Sequence, residues 1–479
     1  MSISISWIWR SPLGTIFKAL VLSKLAIAGH YPLSVVNTDV AILGGGASGT
    51  YAAVRLREDY GKSDLLIEME AVLGGHVNTY TDPETGEAFN YGVQSYIDYK
   101  GAKAFFERFG IPLQPNVLFS SNTLDVDPNT GKLVNVPVGP PLNSSVAALQ
   151  RYYDVIVPWN DILLPGYWDF PPGEQIPADL LLPFSDFVTK YELEDMAPVL
   201  AVVSGQSIST TNPTLFVVKN FGTPVVEGFL NNTFFDPVPF NNSLLYGDAE
   251  RLLGESVVLT STVIEANRSD HGVRLVIENL QTGKRTLVFA KRLLVASQPS
   301  IENLAVLGLD KQETAVFSTW SYGTVYTAVL KTNLIPDNTS VAFVTPANST
   351  SAQKPYSFGI TWNGAPGYFW IIFGSEESFT EVEASEAIVA EMKVLYNGGA
   401  FPPIGSSTPS SEVVAISNHS SVTWGQSVAQ LEAGFVQDLY ALQGHKSTWY
   451  TGGLWCPDYS SNVWAFTDTV LPKLLDGID

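Results

Sequence analysis

Cysteine is almost absent: Cys456 stands alone in 479 residues, so no intrachain disulfide can form and stability must come from a large buried core. One cysteine and five scattered histidines spell no metal site. Basic residues are also scarce, with 26 Lys and Arg against 47 Asp and Glu and a formal net charge of −21. Nucleic acid is therefore not an expected partner, because phosphate binding needs a basic surface. There is no internal repeat and no long polar tract. The 45% hydrophobic and 12% aromatic content is ample for burial, and the length calls for two intimately connected domains.

What is present begins with TDVAILGGGASGTYAA, Thr38–Ala53. Val40, Ala41, Ile42 and Leu43 suit a buried strand, and Gly44, Gly46 and Gly49 follow at G-x-G-x-x-G spacing. A helix should start there, with Ser48 in its first turn. Gly44 allows the tight turn, Gly46 lets backbone approach a pyrophosphate, and Gly49 lets the helix pack on the strand with its N–H groups facing the anion. A second strand, Asp64–Ile67, ends in Glu68, 24 residues after Gly44. At that spacing an acid accepts hydrogen bonds from adenosine ribose hydroxyls, and Glu rather than Arg speaks against the 2′-phosphate of NADP. Strand, glycines, helix and acid in register predict a dinucleotide cradle. The motif by itself does not separate NAD from FAD.

Gly74, Gly75 and His76 come next. They resemble the E-x5-G-G-R continuation of flavin amine oxidases, with His76 in place of Arg. The stretch GGHVNTYTDPETGEAFNYGVQSYID, Gly74–Asp98, resembles the β-cyclopiazonate dehydrogenase family of fungal flavoenzymes. Leu442–Gly444 and STWYTGGLWCPDYSSNVWAF, Ser447–Phe466, resemble that family's closing block. The resemblance covers Thr38–Asp98 and Gln426–Leu474, and it implies FAD as cofactor. It implies too that Gly452 and Gly453 clear backbone space beside the flavin, and that Ser460 and Ser461 cap a helix whose dipole favours negative charge on the ring. Val263 would offer backbone to the adenine. Gln94 and Tyr96 would lie at the isoalloxazine edge, and Tyr450 and Trp455 would wall the substrate side. His76, the only histidine inside a flavin motif, would tether FAD covalently or else contact the pyrophosphate or ribityl chain. His30, His271, His419 and His445 read as surface or turn histidines, and Cys456 as a buried small hydrophobe.

The fold implied is α/β: a Rossmann-like FAD-binding domain of the flavin amine oxidase type, with a discontinuous α+β substrate domain built on an antiparallel sheet. Residues 36–100, 250–305 and 425–479 would form the first, and 101–249 with 306–424 the substrate and cap domain. Within these, Phe184–Tyr191 and Asp195–Ser204 have helical spacing, as does Gln426–Gly444. Ser256–Glu278 reads as two strands joined at Asp270-His271-Gly272, and Lys291–Ser300 as a buried strand. Val316–Thr332 and Tyr368–Gly374 alternate as β-strands. Their aromatics, Trp320, Tyr322, Tyr326 and Trp370, are first of all core residues, with one or two expected at a pocket.

Residues 1–28 carry no acid, have Arg10, and end in Ala26-Ile27-Ala28, a small-x-small cleavage pattern that reads as a removable signal peptide. Lys18 and Lys24 interrupt the apolar stretch, which leaves a mitochondrial presequence or a retained anchor as alternatives. Seven N-x-S/T sequons, at Asn143, Asn231, Asn241, Asn267, Asn338, Asn348 and Asn418, point toward secretion as a soluble glycoprotein with no stable membrane span.

The expected activity is FAD-dependent hydride abstraction from a small, largely apolar metabolite, with O2 or another electron acceptor, in oxidative cyclisation or desaturation of fungal secondary metabolism. A flavin isomerase of polyunsaturated fatty acids, with no net redox change, is the alternative. An inert binding protein that kept the fold comes third.

Overall fold

The computed structural model describes residues 34–116, 122–135, 139–204, 207–344, 356–375 and 379–478. The N-terminal leader, His30 and the sequon at Asn348 lie outside them. The strand Ser34–Leu43 occupies the middle of a seven-stranded sheet. Parallel neighbours flank it, Arg285–Val295 on one side and Asp64–Ile67 on the other. Val40, Ala41 and Ile42 are fully buried, as a strand covered on both faces must be. The short strands Val257–Val258 and Thr448–Tyr450 extend the parallel part. Ser261–Ser269 and Gly272–Asn279 form the expected hairpin and lie antiparallel against Arg285–Val295. Three distant stretches of chain thus meet at one sheet.

The second sheet has eight strands. Its order is Ser411–Asn418, Trp320–Thr332, Tyr368–Ser375, Tyr356–Trp362, Thr339–Phe343, Asn122–Asp127 and Lys132–Leu133, with Ser421–Trp424 paired to the start of Trp320–Thr332. Every pairing is antiparallel except that of Thr339–Phe343 with Asn122–Asp127. The helix Glu381–Gly398 contributes Ala384, Ile388, Met392 and Leu395 to the core beneath this sheet. Short helices between residues 142 and 231 pack on the larger core shared with the first sheet.

Four expectations shift. Gln426–Gly444 is not one helix but two, Val428–Glu432 and Phe435–Tyr440, because Gly434 between them takes φ +101°, a left-handed conformation that breaks the helical run. Val316 and Phe317 end the helix Lys311–Phe317 rather than open a strand. Asp310 and Glu313 start that helix with a reciprocal capping box. The strand read as Lys291–Ser300 spans Arg285–Val295, and Ser300 instead caps a short helix. Helical structure around Asp195 is a single 3-10 turn, Glu194–Met196, leading into Ala197–Ser204. Among the described residues no helix is long and apolar enough to cross a membrane.

Candidate functional site

The cradle forms where the central strand ends. Gly44 donates its N–H to the Ile67 carbonyl at 2.9 Å and takes φ +106°, and a Cβ there would stand 2.8 Å from the Ser297 nitrogen. A Cβ on Gly49 would meet the Gly44 carbonyl oxygen at 1.9 Å. Close helix-to-strand packing thus excludes any side chain at either position. The helix Ala47–Glu58 begins at Gly46 with no side-chain cap, leaving its first N–H groups available to an anion. Glu68 sits at the end of the neighbouring strand, its carboxylate accepting from the Gly45 and Glu70 N–H groups at 2.5 and 2.8 Å.

A second glycine turn backs onto the first. Gly74 donates to the Gly45 carbonyl at 2.9 Å, and a Cβ on Gly75, at φ +57°, would come within 2.9 Å of the Gly46 Cα. The closing block then crosses the same spot. Thr451 bonds the Val295 carbonyl at 3.0 Å, Gly452 at φ +116° faces the Ser48 hydroxyl, and Gly453 has no room for a Cβ because the Asp458 carboxylate fills it.

These turns line one cavity of about 900 Å³, near the upper end of the roughly 300–1,000 Å³ usual for small-molecule sites. Gly44, Gly46, Ser48, Glu68, Gly74, Gly75, His76, Gln94, Gly452, Gly453, Trp455 and Ser460 all face it. Gln94 is oriented by its amide, which donates to the Asn90 and Gly92 carbonyls at 3.1 Å. Gly49, Ser461, Val263, Tyr96 and Tyr450 are not among the residues that line it. Val263 is buried in the hairpin strand at a register shift. Tyr96 is a core residue, 1% exposed and packed against Phe106, Phe235 and Trp464, with burial raising its phenol pKa. Tyr450 stacks on the rear of Trp455, with centroids 4.9 Å apart, and donates to Glu313 at 3.0 Å. Both tyrosines are drawn away from the cavity by aromatic packing. Ser460 and Ser461 do not cap the closing helix: Tyr459 is at the cap position, and the serines are the first two residues of Ser460–Leu475. That N-terminus therefore also carries no side-chain cap.

Several lining residues escaped sequence reasoning, among them His419, Lys219 and Trp424. His419 is no surface histidine; it stacks on His76 with centroids 4.3 Å apart and bonds Asn78 Oδ1 through Nε2 at 2.8 Å. Burial, then the neighbouring His76, pushes its pKa down to about 3. The surrounding protein also lowers the His76 pKa, against a smaller pull from Asp458, although its ring is exposed toward the cavity; His419 is neutral near pH 7. Lys219 is 7% exposed, on the helix Thr214–Asn220, where it donates to the Gly453 carbonyl beside the Trp424 face. Burial lowers its pKa, and the Asp458 charge acts the other way. Trp424 and Trp370 complete the aromatic wall. Of the four sheet aromatics, Trp370 alone lines the cavity, while Tyr322 is exposed and Trp320 and Tyr326 are buried. Cys456 is fully buried and its thiol pKa is raised by burial.

Asp310, Glu313 and His445 also cluster. Protein groups already serve them: Arg268 grips Glu313 through two bonds of 2.7 and 2.8 Å, Lys446 pairs with Asp310 at 2.9 Å, and His445 Nε2 hydrogen-bonds Asp310 at 2.6 Å. This is an ion-pair network joining the hairpin, the helix Lys311–Phe317 and the closing block.

A side-chain-free glycine groove, two uncapped helix N-termini and an acid at the second strand's end fit a dinucleotide such as FAD, and they define a Rossmann-type dinucleotide-binding protein. Residues 42–109 match the family model described as an NAD(P)-binding Rossmann-like domain. FAD-dependent oxidoreductase pigF of Monascus ruber is 33% identical over 480 residues, covering 96% of this chain and 99% of that protein. Beta-cyclopiazonate dehydrogenase of Aspergillus flavus is 32% identical over 459 residues, covering 95% and 96%. The chain belongs to this family of fungal FAD-dependent oxidoreductases, and it is an FAD enzyme. Among solved structures, a CLA-producing fatty acid isomerase from P. acnes superposes with a TM-score of 0.68 at 15% identity, covering 91% of this chain and 98% of that one. A putrescine oxidase variant superposes at 0.61, also at 15% identity, covering 92% and 100%. These two likenesses establish the flavin amine oxidase-like fold.

Proposed function

We propose that this enzyme removes a hydride from a small, largely apolar metabolite held against the Trp370, Trp424 and Trp455 wall, in an oxidative cyclisation or desaturation of secondary metabolism. One observation carries the reading: the glycine cradle and the aromatic wall belong to a single cavity. Bound FAD supplies the hydride acceptor. Gly46 and Gly75 would bring bare backbone to the pyrophosphate, Ser48 and Glu68 would bond the cofactor, and Gly452, Gly453 and Ser460 would line the flavin. Gln94 is fixed by its amide bonds, and its oxygen would serve as an acceptor toward the ring or substrate. The tryptophans exclude water and orient the reacting carbon.

Expected of the purified protein are flavin absorption bands that bleach anaerobically with an oxidisable substrate and return with O2 uptake. Turnover with double-bond migration and no O2 uptake would instead favour the isomerase reading. His76 is the candidate tether, supported by an imidazole facing the cavity. Flavin that stays in the acid pellet of wild type but not of His76→Ala supports it; flavin released from wild type leaves His76 as a pyrophosphate or ribityl contact.

The leader and sequons support a secreted glycoprotein. Asn143, Asn231, Asn267, Asn338 and Asn418 are exposed, as acceptors must be. A mass decrease on enzymatic deglycosylation of protein from the native host tests this.

A further inference from the structure

We propose that Lys219 anchors one ionised oxygen of the substrate, which makes the substrate an acid carrying a single anionic group on an aromatic or otherwise apolar body. The inference rests on the reading that substrate occupies this cavity. Among the described lining residues Lys219 is the sole Lys or Arg. Phe216, one turn before Lys219 on the same face of its helix, also lines the cavity, as does Asn220. Phe216 meets Trp424 edge to face at 6.1 Å, and the Lys219 Nζ is 5.8 Å from the Trp424 ring centroid.

The charge is poorly served by protein. Its described acceptor is the Gly453 carbonyl, which uses one of three N–H donors. Asp458 lines the same cavity and its charge acts on Lys219, but it forms no described ion pair with it. His419 is neutral, and Glu68 is held by the Gly45 and Glu70 N–H groups. A buried ammonium with spare donors is costly unless a partner arrives. An oxyanion entering the cavity supplies that partner, and the tryptophans beside it accept the apolar remainder.

The test is a titration of the FAD-loaded protein with phenylacetate and with its neutral isostere phenylacetamide, followed by calorimetry and by perturbation of the visible flavin bands. Wild type should bind the acid about tenfold or more tightly than the amide, as expected for a charge-assisted bond. Lys219→Gln should lose that preference while amide binding changes little, and Lys219→Arg should keep it. Equal affinity for the two probes, no binding of either, or a preference retained in Lys219→Gln would overturn the proposal. If Lys219→Gln fails to fold, the wild-type ratio and Lys219→Arg still decide. Protein that folds without flavin would defeat the functional reading itself, whereas flavin-loaded protein without acid preference defeats only this assignment.

Discussion

His76 and His419 lie face to face, ring centroids 4.3 Å apart and 15° from parallel, one from the glycine turn after Glu68 and the other just past the strand Ser411–Asn418. The contact joins the two sheets at the cavity. It also sets a pH dependence. Both histidines resist protonation in the folded state, His419 down to about pH 3, while unfolded histidine titrates near 6.5.

The sign follows from linkage. Between these pKa values the unfolded chain binds more protons, so stability is full above about pH 6.5 and falls as pH drops below it. Near pH 5 the loss from His419 should be about 1–2 kcal/mol. His419→Phe keeps a ring on His76 without the titration. Its thermal midpoint should decline less than that of wild type between pH 7 and 5, and parallel declines would refute the assignment.

The cradle makes a sharper prediction. Gly49→Ala drives a methyl to within 1.9 Å of the Gly44 carbonyl, and neither backbone can yield without opening the turn. The variant should lose bound flavin, read as the ratio of visible to ultraviolet absorbance, and several degrees of thermal stability. Gly101→Ala is the control, since nothing lies within 4 Å of a Cβ there and φ is −93°. It should retain flavin and change stability by less than about 0.5 kcal/mol.

The glycine spacings, Glu68 and the closing block were legible because their chemistry is local: each requirement falls within a few consecutive residues. The antiparallel sheet was legible from the alternation in Tyr368–Gly374. Lys219 and His419 were not, since only long-range packing brings a cap helix and a distant strand to the cradle. Tyr96 and Tyr450 misled for the related reason that an aromatic next to a motif residue can point into the core. Some misses had a signal. Gly434 interrupts the pattern of Gln426–Gly444, and Asp310 with Glu313 three residues later marks a helix start ahead of Val316.

Arg268 and Glu313 offer the last prediction. Both side chains are 1% exposed and joined by two bonds, and Glu313 also accepts from Tyr450, the ring that backs Trp455. Burial raises the Glu313 pKa, but the Arg268 hydrogen bonds and charge outweigh it and hold the carboxyl ionised. Glu313→Gln leaves the guanidinium buried without its counter-charge and should cost about 3–5 kcal/mol, whereas Tyr450→Phe removes one hydrogen bond and should cost about 1.5–3 kcal/mol because the acceptor is charged. Replacing both Arg268 and Glu313 by Met removes the two charges together, so the double variant should be more stable than Glu313→Gln. Thermal midpoints in the order wild type, Tyr450→Phe, double variant, Glu313→Gln would identify desolvated charge as the quantity at stake. A double variant no better than Glu313→Gln would mean that the shape of the pair, which seats Tyr450 behind the cavity wall, matters more than its charge.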